Sequence, residues 1–392
     1  MDYARHGRNV PRTLQLLAMV AYGITSDSLA QVDPNPRSLL QLGYDQALQG
    51  KGPQAAYAYY YYNAPSFLRT NMALRLAVAP VYFDGEIGFR HFLSKNTDVG
   101  IGLSGGGYGD AYYEVRQGHY FKNESFDGHG GGASLNLYHR INPRQLIPLS
   151  FVFKAGARYL TYSTTGNTDP GFQVPEDRVD TFVRTGLRFA GKEPMLYPDL
   201  AMEISIWFES QWRTDEGSFG FNQDRRIEDN TKRYWLYAGL NYAWTNSGHQ
   251  MTFALTAGGA DHADRFSAWR LGGVLPLAAE FPLTLPGYYY TELSANRFVH
   301  LMGGYIIPLS PNHRWQIRLE AASARVNYLE GFRQDGHWQT GAGSGLSYSS
   351  PSGTWRIILR YGYGFNAVRD GQEGAHSVGL LSQYNFAKRR FQ

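Results

Sequence analysis

The stretch Trp355-Arg356-Ile357-Ile358-Leu359-Arg360-Tyr361-Gly362-Tyr363-Gly364-Phe365 decides the fold. Trp355, Ile357, Leu359, Tyr361, Tyr363 and Phe365 share one face, and Arg356, Arg360, Gly362 and Gly364 share the other. A period of two with a clean apolar side is a strand that buries that side. Segments of about ten alternating residues match a tilted crossing of an outer membrane, whereas strands of soluble domains average about five or six residues. Aromatics bracket the apolar face at both ends. Across such strands the opposite face, built from Arg, Lys, Glu and Gly, suits a watery lumen rather than a packed core.

The same alternation recurs along the chain. Leu149, Phe151, Phe153, Ala155, Ala157 and Tyr159 oppose a face that carries Lys154 and Arg158; Val183, Thr185, Leu187 and Phe189 oppose Arg184 and Arg188; Trp315, Ile317 and Leu319 oppose Arg314 and Arg318. Composition agrees. Among 392 residues there are 45 Gly, 29 Tyr, 22 Phe, 8 Trp and no Cys. The absence of Cys excludes a disulfide framework, a thiolate metal site and a cysteine nucleophile. Gly costs about 1 kcal/mol relative to Ala in a helix and aromatics favour strands, so the chain reads as all-β. A mean hydropathy of −0.40 excludes a bundle of apolar membrane helices, but it is what two opposite strand faces average to.

Residues 1–30 read as a secretory signal peptide, with Arg5, Arg8 and Arg12, then an apolar run from Leu14 to Ala21, then Ser28-Leu29-Ala30 before Gln31. Its removal leaves residues 31–392 as a single barrel. With the peptide the formal charge is +4. Near-neutrality and the lack of a run of like charge give no sign of nucleic-acid binding.

Strands are expected near 71–81, 84–94, 97–115, 131–142, 148–161, 178–190, 199–211, 232–245, 249–259, 297–309, 313–323, 337–349, 353–365 and 375–387. Ser38 to Tyr44 and Ala55 to Tyr62 supply two more, giving sixteen in place of fourteen; they are the weakest, because Tyr59 to Tyr62 do not alternate. Short turns at 94–96, 142–145, 245–248, 310–312 and 350–352 take turns with longer stretches at 116–130, 162–177, 212–231, 260–296 and 324–336. Short turns on one side and long loops on the other mark a transmembrane antiparallel barrel with its long loops outside. The final strand fits, since Val378, Leu380, Tyr384 and Phe386 form a membrane-facing side.

The inserted loop 260–296 is unlike the rest. Asp261 to Asn296 is too long and too rich in Leu, Phe, Trp and Tyr for a solvated tip. Folding inward buries those side chains most simply, so the loop is expected inside the lumen.

Within it, Trp269-Arg270-Leu271-Gly272-Gly273 and then Leu285-Pro286-Gly287-Tyr288, followed by Gly304-Tyr305-Ile306-Ile307-Pro308-Leu309, resemble the bacterial surface antigen superfamily of BamA-like and TamA-like barrels. The resemblance spans roughly 249–392. It implies sixteen strands, an assembly signal in the last one, and a sixth extracellular loop that enters the lumen through an Arg-Gly-aromatic tip. In that family the tip arginine pairs with an acidic residue of the wall. Here Pro286 stands in its place, with Arg270 the arginine that would have to substitute. The expected strands also leave no room for periplasmic POTRA domains.

Candidate catalytic groups are sparse. Asp127-Gly128-His129, His139, and Asp261-His262 with Asp264 lack the spacing of barrel hydrolases, and one His with two carboxylates is weak support for a metal. No cofactor motif is present; Gly105 to Gly107 and Gly130 to Gly132 precede no helix and carry no Lys-Ser/Thr. The basic row Lys154, Arg158, Arg184, Arg188, Arg314, Arg318, Arg356 and Arg360 would face the lumen, there to attract anions or to pair with Glu203, Glu209 and Glu320. The leading expectation is a non-enzymatic barrel that translocates, inserts or scaffolds outer-membrane components. Its expected partners are outer-membrane lipids and other outer-membrane proteins or lipoproteins. A passive or anion-selective channel is the alternative, and an outer-membrane hydrolase a second.

Overall fold

The computed structural model describes residues 36–80, 82–107, 112–142, 149–190, 200–214, 217–244, 246–276 and 281–386. The expected signal peptide, 1–30, lies outside them.

Sixteen strands form a closed antiparallel ring: β1 (Arg37–Ala47), β2 (Ala55–Ala64), β3 (Met72–Ala79), β4 (Tyr82–Ser94), β5 (Thr97–Gly106), β7 (His119–Arg140), β8 (Leu149–Thr164), β10 (Arg178–Ala190), β11 (Leu200–Arg213), β14 (Asn230–Ala243), β15 (Gln250–Asp261), β17 (Leu293–Pro308), β18 (Trp315–Tyr328), β19 (Trp338–Ser349), β20 (Trp355–Arg369) and β21 (Gln372–Asn385). The ring closes between β1 and β21, from Leu39 opposite Asn385 to Ala47 opposite Ser377. Closure removes both sheet edges. Among the described residues five short strands stand outside the ring: β6 (Tyr112–Arg116), β9 (Phe172–Gln173), β12 (Ser218–Phe221), β13 (Arg225–Arg226) and β16 (Trp269–Leu271).

The alternation sorts side chains as expected. Ile357, Leu359, Tyr361 and Phe365 point outward and are exposed, as are Ile101, Leu135, Leu187, Ile206 and Leu301 on other strands. Such a belt is a surface that lipid covers. Aromatic pairs line the end with short turns: Trp315 and Tyr348 lie 4.8 Å apart, Trp355 and Tyr384 4.7 Å, and Tyr384 and Phe386 4.6 Å between ring centroids. They occupy the interface, where an apolar ring with a polar edge is favoured.

The run Tyr59 to Tyr62 is part of β2 although it does not alternate in chemistry. Tyr59 and Tyr61 stack on one face, centroids 6.2 Å apart, while Tyr60 meets Phe386 on the other at 6.1 Å. Tyrosine is at home on both faces, so the run carries no pattern.

Three stretches depart from expectation. Residues 97–115 are not one strand but β5 and β6. Residues 116–130 are not a loop: β7 begins at His119 and continues beyond the belt, pairing first with β6. Residues 162–177 and 212–231 hold β9, β12 and β13, which form a small separate sheet. Phe126, Phe172, Phe219, Ile227 and Tyr112 pack beneath these pieces, and Phe266 joins them from the long loop. Apolar residues spaced through polar loops thus find one another as a cap at the long-loop end.

Candidate functional site

The site is the interior, where the long loop meets the wall. From Asp261 the chain turns through Asp264 and enters the barrel. There β16 pairs with the start of β17, Trp269 opposite Ala295 and Leu271 opposite Leu293. The loop is therefore shorter than 260–296, because its two ends form a ladder. Beyond the ladder, Gly272 N–H donates to Leu283 O at 3.0 Å and Leu285 N–H to Gly273 O at 3.0 Å. Leu271, Leu283, Leu285 and Tyr288 bury themselves against Phe298, Ala322, Ala324, Val326, Ala367 and Ala375 of the wall. Small wall residues leave room for the loop's larger ones.

The tip rests on a wall without side chains. Gly341, Gly362 and Gly364 of β19 and β20 lie under Pro286 and Gly287. A Cβ on Gly341 would meet Pro286 O at 2.2 Å, and one on Gly362 would meet Pro286 Cβ at 2.7 Å. Gly287 has a φ of +88°, and its N–H donates to Ser377 Oγ at 2.9 Å. Tyr288 O–H donates to Gln339 Oε1 at 2.7 Å, and Gln339 Nε2 donates in turn to Tyr328 at 2.8 Å. Burial raises the Tyr288 hydroxyl above its ordinary pKa, so it remains a donor. Gly273, φ +87°, lets Asp45 of β1 come close enough to accept from Val274 N–H at 2.7 Å and Leu275 N–H at 3.1 Å. Arg360 Nη1 donates to Val274 O at 2.8 Å.

Charge pairs between loop and wall run opposite in sign to the expected tip arginine. Arg270 donates through Nε to Thr291 O at 3.0 Å, within the loop. The loop supplies carboxylates instead, and the wall supplies arginines. Glu292 takes two hydrogen bonds from Arg369, at 2.8 and 2.7 Å, and Arg369 lies 3.6 Å from the centre of the Tyr289 ring. At the loop's other end Asp264 is bound by Arg213, and Ser267 Oγ donates to it at 2.8 Å. Burial raises Asp264, but Arg213 and hydrogen bonds from Ser267 and the Glu228 N–H overcome it and hold the carboxyl below its usual range.

Above this, Arg265 reaches Glu114 at 3.2 Å; Arg225 reaches Glu114 at 3.4 Å and Glu124 at 2.5 Å. Burial opposes the Glu114 charge, yet Arg265 and Arg225 leave its pKa lowered. The loop is so tied to the cap as well.

The rest of the interior is charged. Arg188 binds Glu203 at 2.6 Å and Arg184 binds Glu209 at 2.6 Å, with Arg233 also on Glu209. Arg318 binds Glu320 at 2.8 Å and Arg360 reaches it at 3.3 Å. Arg356 donates to Ser349 Oγ at 3.3 Å. Lys154 and Arg158 line a cavity of about 180 Å³. Arg314 departs from the row, since it lies in the turn before β18. Val378, Leu380, Tyr384 and Phe386 share the outer side of β21 and the residue after it, and Leu381 faces in against Val274 and Leu275.

Of the catalytic candidates, His129 is exposed on β7 opposite Thr161, and Thr97 Oγ1 lies 2.9 Å from His139 Nδ1. Asp264 is committed to Arg213 and Ser267. Among the described residues no three His, Asp or Glu side chains converge as a metal site would need.

A closed ring of sixteen strands with a loop entering it matches solved structures. The fold is that of the CdiB and BamA barrels. CdiB from Acinetobacter baumannii superposes with a TM-score of 0.60 at 12% identity, over 89% of this chain and 60% of that one. CdiB from Escherichia coli gives 0.58 at 15%, over 90% and 63%. BamA from Haemophilus ducreyi, a form lacking POTRA domains 1–3, gives 0.54 at 10%, over 88% and 70%. The chain thus spans less than two thirds of either CdiB structure. No protein-family model and no curated protein sequence matches it.

Sequence reasoning missed Asp45, Gln339, Arg369, Ser377 and Glu292, which hold the loop. Arg369 sits on the odd-numbered side of its strand, which points outward at Trp355 and Leu359. Between Gly364 and Val368 the register with β21 shifts. A bulge exchanges the two faces, and Ala367 and Arg369 turn inward. The bulge has no sequence mark beyond the end of clean alternation at Phe365.

Proposed function

We propose that residues 31–392, after loss of the signal peptide, form a single outer-membrane barrel that translocates or inserts other outer-membrane components without chemistry of its own. The observation that carries this is the loop. It crosses the interior from Phe281, packed on Trp207, Trp235 and Tyr237, to Gly287 on β20, and it is tied by charge at both ends. A diffusion pore has no use for a segment so fastened across its lumen. A barrel that opens only for a client does. Its partners on this reading are membrane lipid and other outer-membrane proteins or lipoproteins.

Conductance across a planar bilayer tests it. The intact chain should show little steady current, and deletion of 276–290 should raise it. A large, stable, anion-selective current from the intact chain would sink the reading in favour of a channel. In cells, loss of the gene should deplete particular outer-membrane or secreted proteins. An unchanged outer-membrane proteome would count against a translocator.

A further inference from the structure

At the end with short turns, β4 leaves regular pairing before it turns into β5. Phe89 stands opposite Val99 and Ser94 opposite Thr97, so Arg90, His91, Phe92 and Leu93 face Asp98 alone. A bulge of this kind re-aims the side chains it carries. It is held by Asp98, which is buried and accepts from His91 N–H at 2.8 Å. Arg90 N–H donates to Asn71 O at 2.7 Å, which joins the bulge to the turn before β3. His91 has a φ of +56°, and Leu68, in that neighbouring turn, has +58°. Residues other than Gly adopt such a conformation only where their surroundings impose it.

What the two segments present is apolar. Leu68, Phe92 and Leu93 are 81%, 65% and 62% exposed, among the barest large apolar side chains of the molecule. Phe92 lies against Phe89, ring centroids 5.9 Å apart. Phe89 shares its side of the strand with Phe83 and Ile87, which are exposed in the lipid belt. The patch therefore carries the lipid-covered surface on to the rim of the wall.

Around it the charge is positive. Residues 65–73, 88–99 and 136–142 hold Arg69, Arg90, Lys95 and Arg140 against a single carboxylate, Asp98, which the bulge already uses. Arg69, Arg90 and Lys95 have no side-chain partner among the described residues, and Arg90 keeps Nε and Nη2 from water with no acceptor. Arg140 donates through Nη2 to Lys95 O at 2.7 Å and meets no carboxylate. Arg69 and Lys95 are exposed at the tips of their turns.

We propose that this rim is a docking site for anionic phospholipid in the leaflet at the short-turn end. Leu68, Phe92 and Leu93 enter the boundary of the acyl chains, and Arg69 and Lys95 hold the phosphodiester, with Arg90 and Arg140 adding to the attraction. Two observations name the occupant. The patch runs without a break into the lipid belt, and its cations are opposite in sign to an anionic bilayer surface. Long cationic side chains beside buried apolar ones place their charges at headgroup level.

Native mass spectrometry of the folded full chain in neutral detergent, titrated with dioctanoyl phosphatidylglycerol and with dioctanoyl phosphatidylcholine, tests this. The anionic lipid should bind at least tenfold tighter, since each cation near an anionic surface is worth about fivefold. Arg69→Gln with Lys95→Gln should abolish that preference. Arg314→Gln, at the same end but across the ring in the turn before β18, should leave it intact. Phe92→Ser with Leu93→Ser should weaken both lipids alike. The chain has no Cys, so Phe92→Cys takes a single nitroxide, which in vesicles of the two lipids should collide with oxygen more than with a water-soluble nickel chelate. Heat-dependent gel migration confirms that each variant has closed its barrel. Equal binding of the two lipids, or a preference indifferent to Arg69 and Lys95, overturns the site. A nitroxide that meets the nickel chelate first overturns it too and leaves the patch to a protein partner. The proposal rests on the fold and not on the translocation reading, so its failure leaves the conductance test of that reading untouched.

Discussion

A Cβ placed on Gly287 would lie 1.8 Å from the amide nitrogen of Gly364. Two backbones, one from the loop tip and one from the barrel wall, are thus in contact with nothing between them. Neither can gain a carbon without separating.

Gly287→Ala should therefore unseat the tip. The positive φ adds strain to the overlap, and together they cost about 1–3 kcal/mol or more. Limited trypsinolysis in detergent should cut the variant after Arg265 or Arg270 at least tenfold faster than the parent, with the ring still resistant. Equal cleavage rates would mean that the tip is not what holds the loop.

Glu292 and Arg369 form a pair in which each is almost wholly buried. Removing one leaves a charge with no partner, so Arg369→Ala should destabilise by about 3–5 kcal/mol in urea unfolding followed by tryptophan fluorescence. The double change Glu292→Gln with Arg369→Met should recover most of that loss. Additive losses in the double variant would contradict a direct pairing.

Acid should loosen the cap. Asp264 and Glu114 have pKa values lowered in the folded protein. A lowered pKa contributes stability that is complete above the unfolded value, about 4, and is lost as pH falls through the folded one. Amide exchange in β6 and in residues 262–268 should thus accelerate between pH 5 and pH 3 relative to the ring strands. Asp264→Asn with Glu114→Gln should exchange fast at both pH values. A cap equally protected at pH 3 and pH 7 would remove these two carboxylates from the account.

The membrane belt predicts a third kind of effect. Leu380 points into lipid from β21, and Leu380→Arg at that depth costs about 2–4 kcal/mol. The fraction of heat-modifiable protein after refolding into lipid vesicles should drop, while Gln383→Arg, on the inner face, should change it little. Equal losses from both would mean that β21 is not oriented as described.

How far the sequence could be read depended on how local the physics was. Most ring strands show themselves through side-chain alternation, β2 with its run Tyr59 to Tyr62 being the exception, and Trp355 to Phe365 alone reveals the period, the belt and the lumen. The inward loop was legible because apolar residues in such number need a cover. What holds that loop was not. Asp45 and Val274 are far apart in sequence, as are Gln339 and Tyr288, and no spacing announces such meetings. Phe172, Phe219 and Phe266 lie in three separate loops of the sequence, and only the cap brings their rings together. Arg369 was hidden by the irregular stretch between Gly364 and Val368, across which the inner side of β20 changes from even to odd positions without leaving a motif.

The ring closes by joining β1 to β21, and the loop rests on Asp45 of β1, on Ser377 of β21 and on the strands just before it. Its seat is thus assembled from the two extremes of the barrel's sequence. A sheet in which β1 and β21 have not yet paired does not hold all of those groups together. Insertion of the loop and completion of the cylinder are then a single late event in folding, dominated by contacts between distant parts of the chain and slow for that reason. A folding intermediate would be an open, unplugged sheet, and its loop would be free to meet whatever waits at the membrane.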